Sequence, residues 1–181
     1  SAPPVCVDVL HGSPPGELTW AAGRPCGGTR PEGIRPANEK LFALRFPAWT
    51  PETFVSRDRR DLLAFITRHP HGAVLKPIDG FGGKGVLFAK KGDMNLGSII
   101  DVSTSGGTES VIAQAYLPEG TEGDKRILML NGEPIGALAR KPMEGDFRAN
   151  LAAGGTAGKT SLTDVERALC ADVGPVLREH G

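Results

Sequence analysis

Two lysines bracket a glycine run in this sequence: Lys76-Pro77-Ile78-Asp79-Gly80-Phe81-Gly82-Gly83-Lys84-Gly85. A loop so rich in glycine presents backbone N–H groups unshielded, and phosphate oxygens approach such a backbone closely. Lys76 stands where the loop begins and Lys84 stands inside it. The apolar runs on either side, 72–76 and 85–89, read as strands, so the loop joins a hairpin. A P-loop and a dinucleotide fingerprint both need a helix after the glycines. The strand after Lys84 excludes both. The plainer alternative is a flexible hairpin, for which one or two glycines would do.

Two further groupings carry chemistry. Ala113-Gln114-Ala115-Tyr116-Leu117 runs toward Gly123-Asp124-Lys125-Arg126. A strand leading into a linker offers main-chain hydrogen bonds to a base, and Asp124 then stands where it can meet a ribose. A solvated charge cluster at a strand start is the plainer alternative. Arg140-Lys141 precedes the stretch Arg148 to Gly155. An arginine at a strand end forks onto a phosphate or carboxylate, and a loop of small residues with one Arg and one Asn suits a lid. No GxSxG, HExxH or Cys/His pairing occurs. The histidines have no partners at catalytic spacing. Cys6, Cys26 and Cys170 show no metal-ligand spacing.

The elements that must position these groups follow from pattern. Residues 38–46 read as a short helix with Asn38 at its N-cap, ended by Pro47. Residues 53–56 read as a strand and 57–68 as a helix with Leu62, Leu63, Phe65 and Ile66 inward. Residues 94–102 suit a helix and 110–116 a strand. Residues 126–130 and 134–140 are strands joined by Asn131-Gly132, a strong hairpin signal. Residues 141–160 read as a long polar loop. Thr163-x-x-Glu166 is a capping box opening a helix to about His180, with Val165, Leu169, Val173, Val176 and Leu177 inward and Pro175 bending it.

Composition bounds the rest. The 181 residues carry 21 basic and 21 acidic side chains, which argues against a nucleic-acid partner held by bulk charge. No apolar run is long enough to span a membrane, and the cysteine pattern fits a reduced, cytoplasmic protein. Gly or Pro occupies 13 of the first 37 residues against 27 of the remaining 144, so residues 1–37 read as irregular, or as the remnant of a preceding domain, apart from a β-like run at 5–10. Two units follow: 38–117, with the phosphate loop, and 118–181.

Together these pieces resemble bacterial glutathione synthetases of the ATP-grasp ligase family. The carriers are Asn38-Glu39-Lys40-Leu41-Phe42, Thr50-Pro51-Glu52-Thr53, Leu75-Lys76-Pro77 with Asp79 to Gly83, Asn95-Leu96-Gly97, Ala113-Gln114 with Tyr116-Leu117-Pro118, Gly123 to Arg126, Asn131 to Pro134, and Arg148 with Asn150 to Gly155. The likeness covers about 33–181. It implies an α+β fold in which two subdomains clamp ATP. It also implies a reaction: ATP phosphorylates the carboxylate of γ-glutamylcysteine, and the glycine amine displaces phosphate from the acyl phosphate.

By that resemblance Lys40 and Lys76 contact ATP phosphates. Asp79, Gly80, Phe81, Gly82 and Gly83 fold over them. Gln114, Tyr116 and Leu117 form the adenine hinge, with Asp124 by the nucleotide. Arg126 meets the peptide carboxylate, and Arg140, with Lys76, serves catalysis at the transferring phosphoryl group. Arg148 and Asn150 belong to the substrate lid. Relatives often have Gly where Ala149 stands, and a small residue where Lys84 stands. The family also has an N-terminal domain before Asn38, and a C-terminal Glu-x-Asn that ligates Mg²⁺. The chain thus reads as a central fragment, truncated at both ends and inactive alone, and no metal ligand is named in it. The full-length protein is expected to be a homo-oligomer acting on small molecules. Two alternatives stay open: a nucleotide-binding remnant without turnover, and an ATP-grasp ligase joining other peptides or amino acids.

Overall fold

The computed structural model describes residues 5–10, 20–21, 24–25, 40–79, 84–143 and 155–180. Strand β1 (Val5–Leu10) comes first, followed by the two-residue strands β2 (Trp20–Ala21) and β3 (Arg24–Pro25), which pair with each other. A 3₁₀ turn at Phe42–Arg45 stands where the sequence predicts a longer helix. Asn38, its expected cap, lies outside the described residues.

Strand β4 (Thr53–Ser56) leads into helix α1 (Arg59–Arg68). The helix starts two residues later than expected because Asp58 caps it, accepting from the N–H groups of Arg60 and Asp61 at 2.8 and 3.1 Å. Such a cap stabilises by about 1 kcal/mol. Strands β5 (Ala73–Pro77) and β6 (Leu87–Ala89), helix α2 (Leu96–Ser103) and strand β7 (Val111–Ala115) complete the first unit.

The sheet order is β4-β7-β5-β6, antiparallel throughout. Successive strand residues face opposite sides, and the two faces differ sharply. Phe54, Ala73, Leu75, Ala89, Val111 and Ala113 pack on one side against Leu62, Phe65 and Ile66 of α1 and Leu96 and Ile100 of α2. The other side carries the polar side chains described below.

The second unit begins after a 3₁₀ turn at Pro118–Glu122. Strands β8 (Asp124–Leu130), β9 (Glu133–Lys141) and β10 (Thr156–Thr160) are joined in antiparallel pairs, and β1 adds in parallel beside β8. The run at 5–10, legible only as a β-like stretch, is thus an edge of this sheet. Asn131 and Gly132 both take positive φ, 51° and 78°, the conformation of a tight two-residue hairpin turn.

Helix α3 (Asp164–His180) covers one face. Ile127, Met129 and Ala137 of the sheet meet Leu169, Cys170, Val173 and Leu177 of α3, and Phe42, Phe46, Trp49 and Leu162 close the cluster. Trp49 Nε1 also donates to Asp172 Oδ2 at 2.7 Å. Phe42, Phe46 and Trp49 therefore belong to the first unit in sequence yet pack on the core of the second.

Three further expectations change here. Leu63, read as inward on α1, is 42% exposed, and only Leu62, Phe65 and Ile66 of that face are buried. Thr156–Thr160, read as the end of a polar loop, is a strand, because backbone pairing to β9 supplies what its side chains do not. Val165, read as inward, is 64% exposed, and its neighbour Glu166 is 3% exposed instead. An ion pair, not apolar burial, sets the inward face of α3's first turn.

Candidate functional site

On the open face of the first sheet, period-two alternation aligns Thr53, Val74, Lys76, Ile112 and Gln114. Phe88, opposite Val74, shares this face. Its ring meets Tyr116 edge-on, with centroids 4.9 Å apart. Tyr116 continues the pairing beyond β7 by donating its N–H to Gly72 O at 3.1 Å.

Lys76 Nζ donates to Gln114 Oε1 at 2.6 Å, and Gln114 Nε2 donates to Thr53 Oγ1 at 2.9 Å. Lys40, arriving from 37 positions away, donates to the carbonyl of Pro77 at 2.5 Å. Lys40 thus reaches the end of β5, and Lys76 stands one residue before that point on the open face. Asp79 is exposed just beyond, and Gly80, Phe81, Gly82 and Gly83 lie outside the described residues. Leu117, 38% exposed, begins the linker to the second unit.

On the second sheet Asp124 and Arg140 are cross-strand partners. Arg140 Nε donates to Asp124 Oδ1 at 2.7 Å, and Nη2 donates to Oδ2 at 2.6 Å. This fork is the strong form of the carboxylate–guanidinium pair. Arg126, two residues beyond Asp124, shares its face and is half-buried. Arg148 and Asn150 lie outside the described residues.

Lys125, between Asp124 and Arg126, points the opposite way. Its Nζ lies 2.8 Å from Glu166 Oε1, and it donates to Ser161 O at 3.1 Å. Glu166 also accepts the Thr163 N–H at 2.8 Å, while its own N–H donates to Thr163 Oγ1 at 3.3 Å. The expected capping box therefore forms and is tied to the sheet. Lys125 is 9% exposed, so the cluster at 123–126 is not solvated throughout.

Burial alone pushes the Glu166 carboxyl up. The hydrogen bonds from Lys125 and Thr163, with the Lys125 charge, outweigh that and hold it below its ordinary 4.5. Burial, then the Glu166 charge, raises the Cys170 thiol, which makes it a poor nucleophile.

Sequence reasoning missed Thr53, Phe88 and the Lys125–Glu166 pair. The only available signals were the parity of a Thr on a strand and the capping box itself. Among the described residues no three His, Cys, Asp or Glu side chains converge to hold a metal ion.

Two sheets, one bringing lysines to the mouth of a glycine loop and one displaying a forked arginine, define the chain as an ATP-grasp protein. Solved structures agree on the fold. The ATP-grasp ligase PsnB complexed with minimal precursor, Mg and ADP aligns over 81% of this chain and 44% of its own, with TM-score 0.56 at 16% identity. Its complex with precursor peptide PsnA2 and AMPPNP gives TM-score 0.54 over 81% and 43%.

The family model of the prokaryotic glutathione synthetase ATP-grasp domain matches residues 39–181. The glutathione synthetase of Gloeobacter violaceus is 51% identical over 152 residues, 84% of this chain and 47% of its own length. That of Pseudomonas putida is 47% identical over 153 residues, 84% and 48%. The chain belongs to the prokaryotic glutathione synthetase family. It spans about half the length of the curated relatives it matches.

Proposed function

We propose that this chain is the nucleotide-binding part of a glutathione synthetase. ATP passes its γ-phosphoryl group to the carboxylate of γ-glutamylcysteine, releasing ADP. The glycine amine attacks the acyl carbon, phosphate leaves, and the amine proton is lost to solvent. The supporting observation is that Lys40 bonds the carbonyl of Pro77, next in sequence to Lys76, at the end of the strand that precedes the glycine run.

Charge on the transferring group grows toward the transition state, and preorganised cations stabilise it without reorganising. Lys40 and Lys76 take that role on the phosphates, with 79–85 folding over them. Gln114, Tyr116 and Leu117 receive the base. Arg140, steadied by Asp124, stabilises the acyl phosphate, and Arg126 binds the peptide carboxylate. Arg148 and Asn150 belong to the cover that excludes water.

Mg²⁺, when bound, would offset the negative charge of the ATP phosphates in such a reaction. Among the described residues no three His, Cys, Asp or Glu side chains converge, and the ligands of the ion are expected further along the full-length protein. Among the described residues no helix is long and apolar enough to cross a membrane. We read the whole protein as a cytoplasmic homo-oligomer.

The test is incubation of the protein expressed from its gene with ATP, Mg²⁺, γ-glutamylcysteine and glycine. Glutathione, ADP and phosphate in equal amounts are expected by mass spectrometry and phosphate assay. ATP binding without any ligation would sink the proposal in favour of a remnant, and ligation of other amines in preference to glycine would reassign the acceptor.

A further inference from the structure

The chain of hydrogen bonds from Lys76 does not stop at Gln114. Gln114 Nε2 donates to Thr53 Oγ1 at 2.9 Å, and Thr53 Oγ1 donates to Pro51 O at 2.7 Å. The direction of each bond is forced. A backbone carbonyl only accepts, so the single hydroxyl proton of Thr53 goes to Pro51. The hydroxyl then meets Gln114 only as an acceptor, which places the amide N–H₂ on Thr53 and the amide oxygen on Lys76. An ammonium only donates, so the order fits at both ends. Three strands supply the parts: β4 gives Thr53, β7 gives Gln114 directly opposite it, and β5 gives Lys76 diagonally across.

We infer that Thr53 is a positioning residue for the nucleotide lysine, acting through Gln114. The amide is held at both ends, so its oxygen stays on Lys76 and restrains a side chain that otherwise has four rotatable bonds. Without the hydroxyl, the half-buried Gln114 N–H₂ loses its acceptor. An unmet donor of that kind is unfavourable enough to make the amide seek another partner. Its oxygen then leaves Lys76, and the ammonium loses one of the bonds that place it. This inference rests on the assignment of Lys76 to ATP.

The probe is ATP, titrated by calorimetry into the purified protein expressed from its gene. Thr53→Val keeps the shape and the β-branch and removes the hydroxyl. Its dissociation constant for ATP is expected to rise about tenfold, the size of one lost hydrogen bond of this kind. Binding of γ-glutamylcysteine should stay unchanged. Thr53→Ser should restore ATP binding to within about twofold, because the hydroxyl returns. In a Gln114→Ala background, Thr53→Val should add nothing, since the link to Lys76 is already cut.

An unchanged ATP affinity in Thr53→Val overturns the inference while leaving the ATP assignment intact. So does a loss that Ser does not rescue, or one that adds fully to that of Gln114→Ala, because each marks a purely structural role. Absence of ATP binding by the unsubstituted protein overturns the functional proposal itself, and this inference with it.

Discussion

Asp124 and Arg140 face each other across β8 and β9, and the carboxylate grips the guanidinium with two parallel bonds of 2.7 and 2.6 Å. The pair fixes the plane of the arginine before any ligand arrives. Arg140 is 8% exposed, and this carboxylate compensates a charge that water reaches poorly. Asp124→Ala removes that compensation. The expected loss is about 2–3 kcal/mol of stability, read by urea unfolding, together with a fall in kcat. Asp124→Asn should retain most of the stability, since it keeps an acceptor, yet still lower kcat. Equal stability of all three proteins would show that the pair is dispensable.

Gly123 makes that pair possible. Its φ is +119°, and a Cβ built there would lie 2.1 Å from the carbonyl oxygen of Arg140. Either fact alone disfavours a side chain. Gly123→Ala is expected to destabilise by about 2 kcal/mol or more and to move the start of β8 off Arg140. Thermal melts and arginine side-chain NMR signals would report both, and an unperturbed melt would contradict the geometry.

Gly174 offers a test whose sign is decided by packing. Alanine is favoured over glycine in a helix by about 1 kcal/mol, so Gly174→Ala in isolation stabilises α3. Here its Cβ would stand 2.2 Å from the Gly132 carbonyl, in the hairpin turn beneath. The Cβ is fixed to the helix and the atom it meets is a backbone carbonyl, so neither gives way cheaply. A net loss of about 1–3 kcal/mol is expected. A raised Tm would mean that the turn moves freely.

The Lys125–Glu166 pair predicts a pH dependence. Glu166 titrates below its ordinary 4.5 in the fold. Between that lower value and 4.5 the unfolded chain binds more protons than the folded one, so stability rises with pH there. The contribution is complete above about 4.5 and vanishes as pH falls through the folded value. Glu166→Gln should therefore lower Tm by a constant amount at neutral pH, and the gap from the unsubstituted protein should close in acid. A gap that persists unchanged to pH 3 would count against the pair.

Much of this was legible one residue at a time. The Asn131-Gly132 turn, the Thr163–Glu166 box and the strand at 53–56 rest on local chemistry, such as positive φ, capping oxygens and alternation. Each is decided by residues within a few positions of one another. The family was legible for the same reason, because its motifs are short, ordered and contiguous.

Relations between distant residues were decided only by the tertiary structure. Val165 fits an apolar helix face by periodicity, yet it is exposed, because Lys125 of a distant strand draws Glu166 inward. Thr156–Thr160 has no strand pattern of its own and is a strand because β9 offers it hydrogen bonds. Thr53, Lys76 and Gln114 form one chain of bonds only because three strands pair in that register. Local propensity is written in the order of side chains, whereas register and burial arise from backbone pairing and close packing across the whole fold, where no nearby residue announces them.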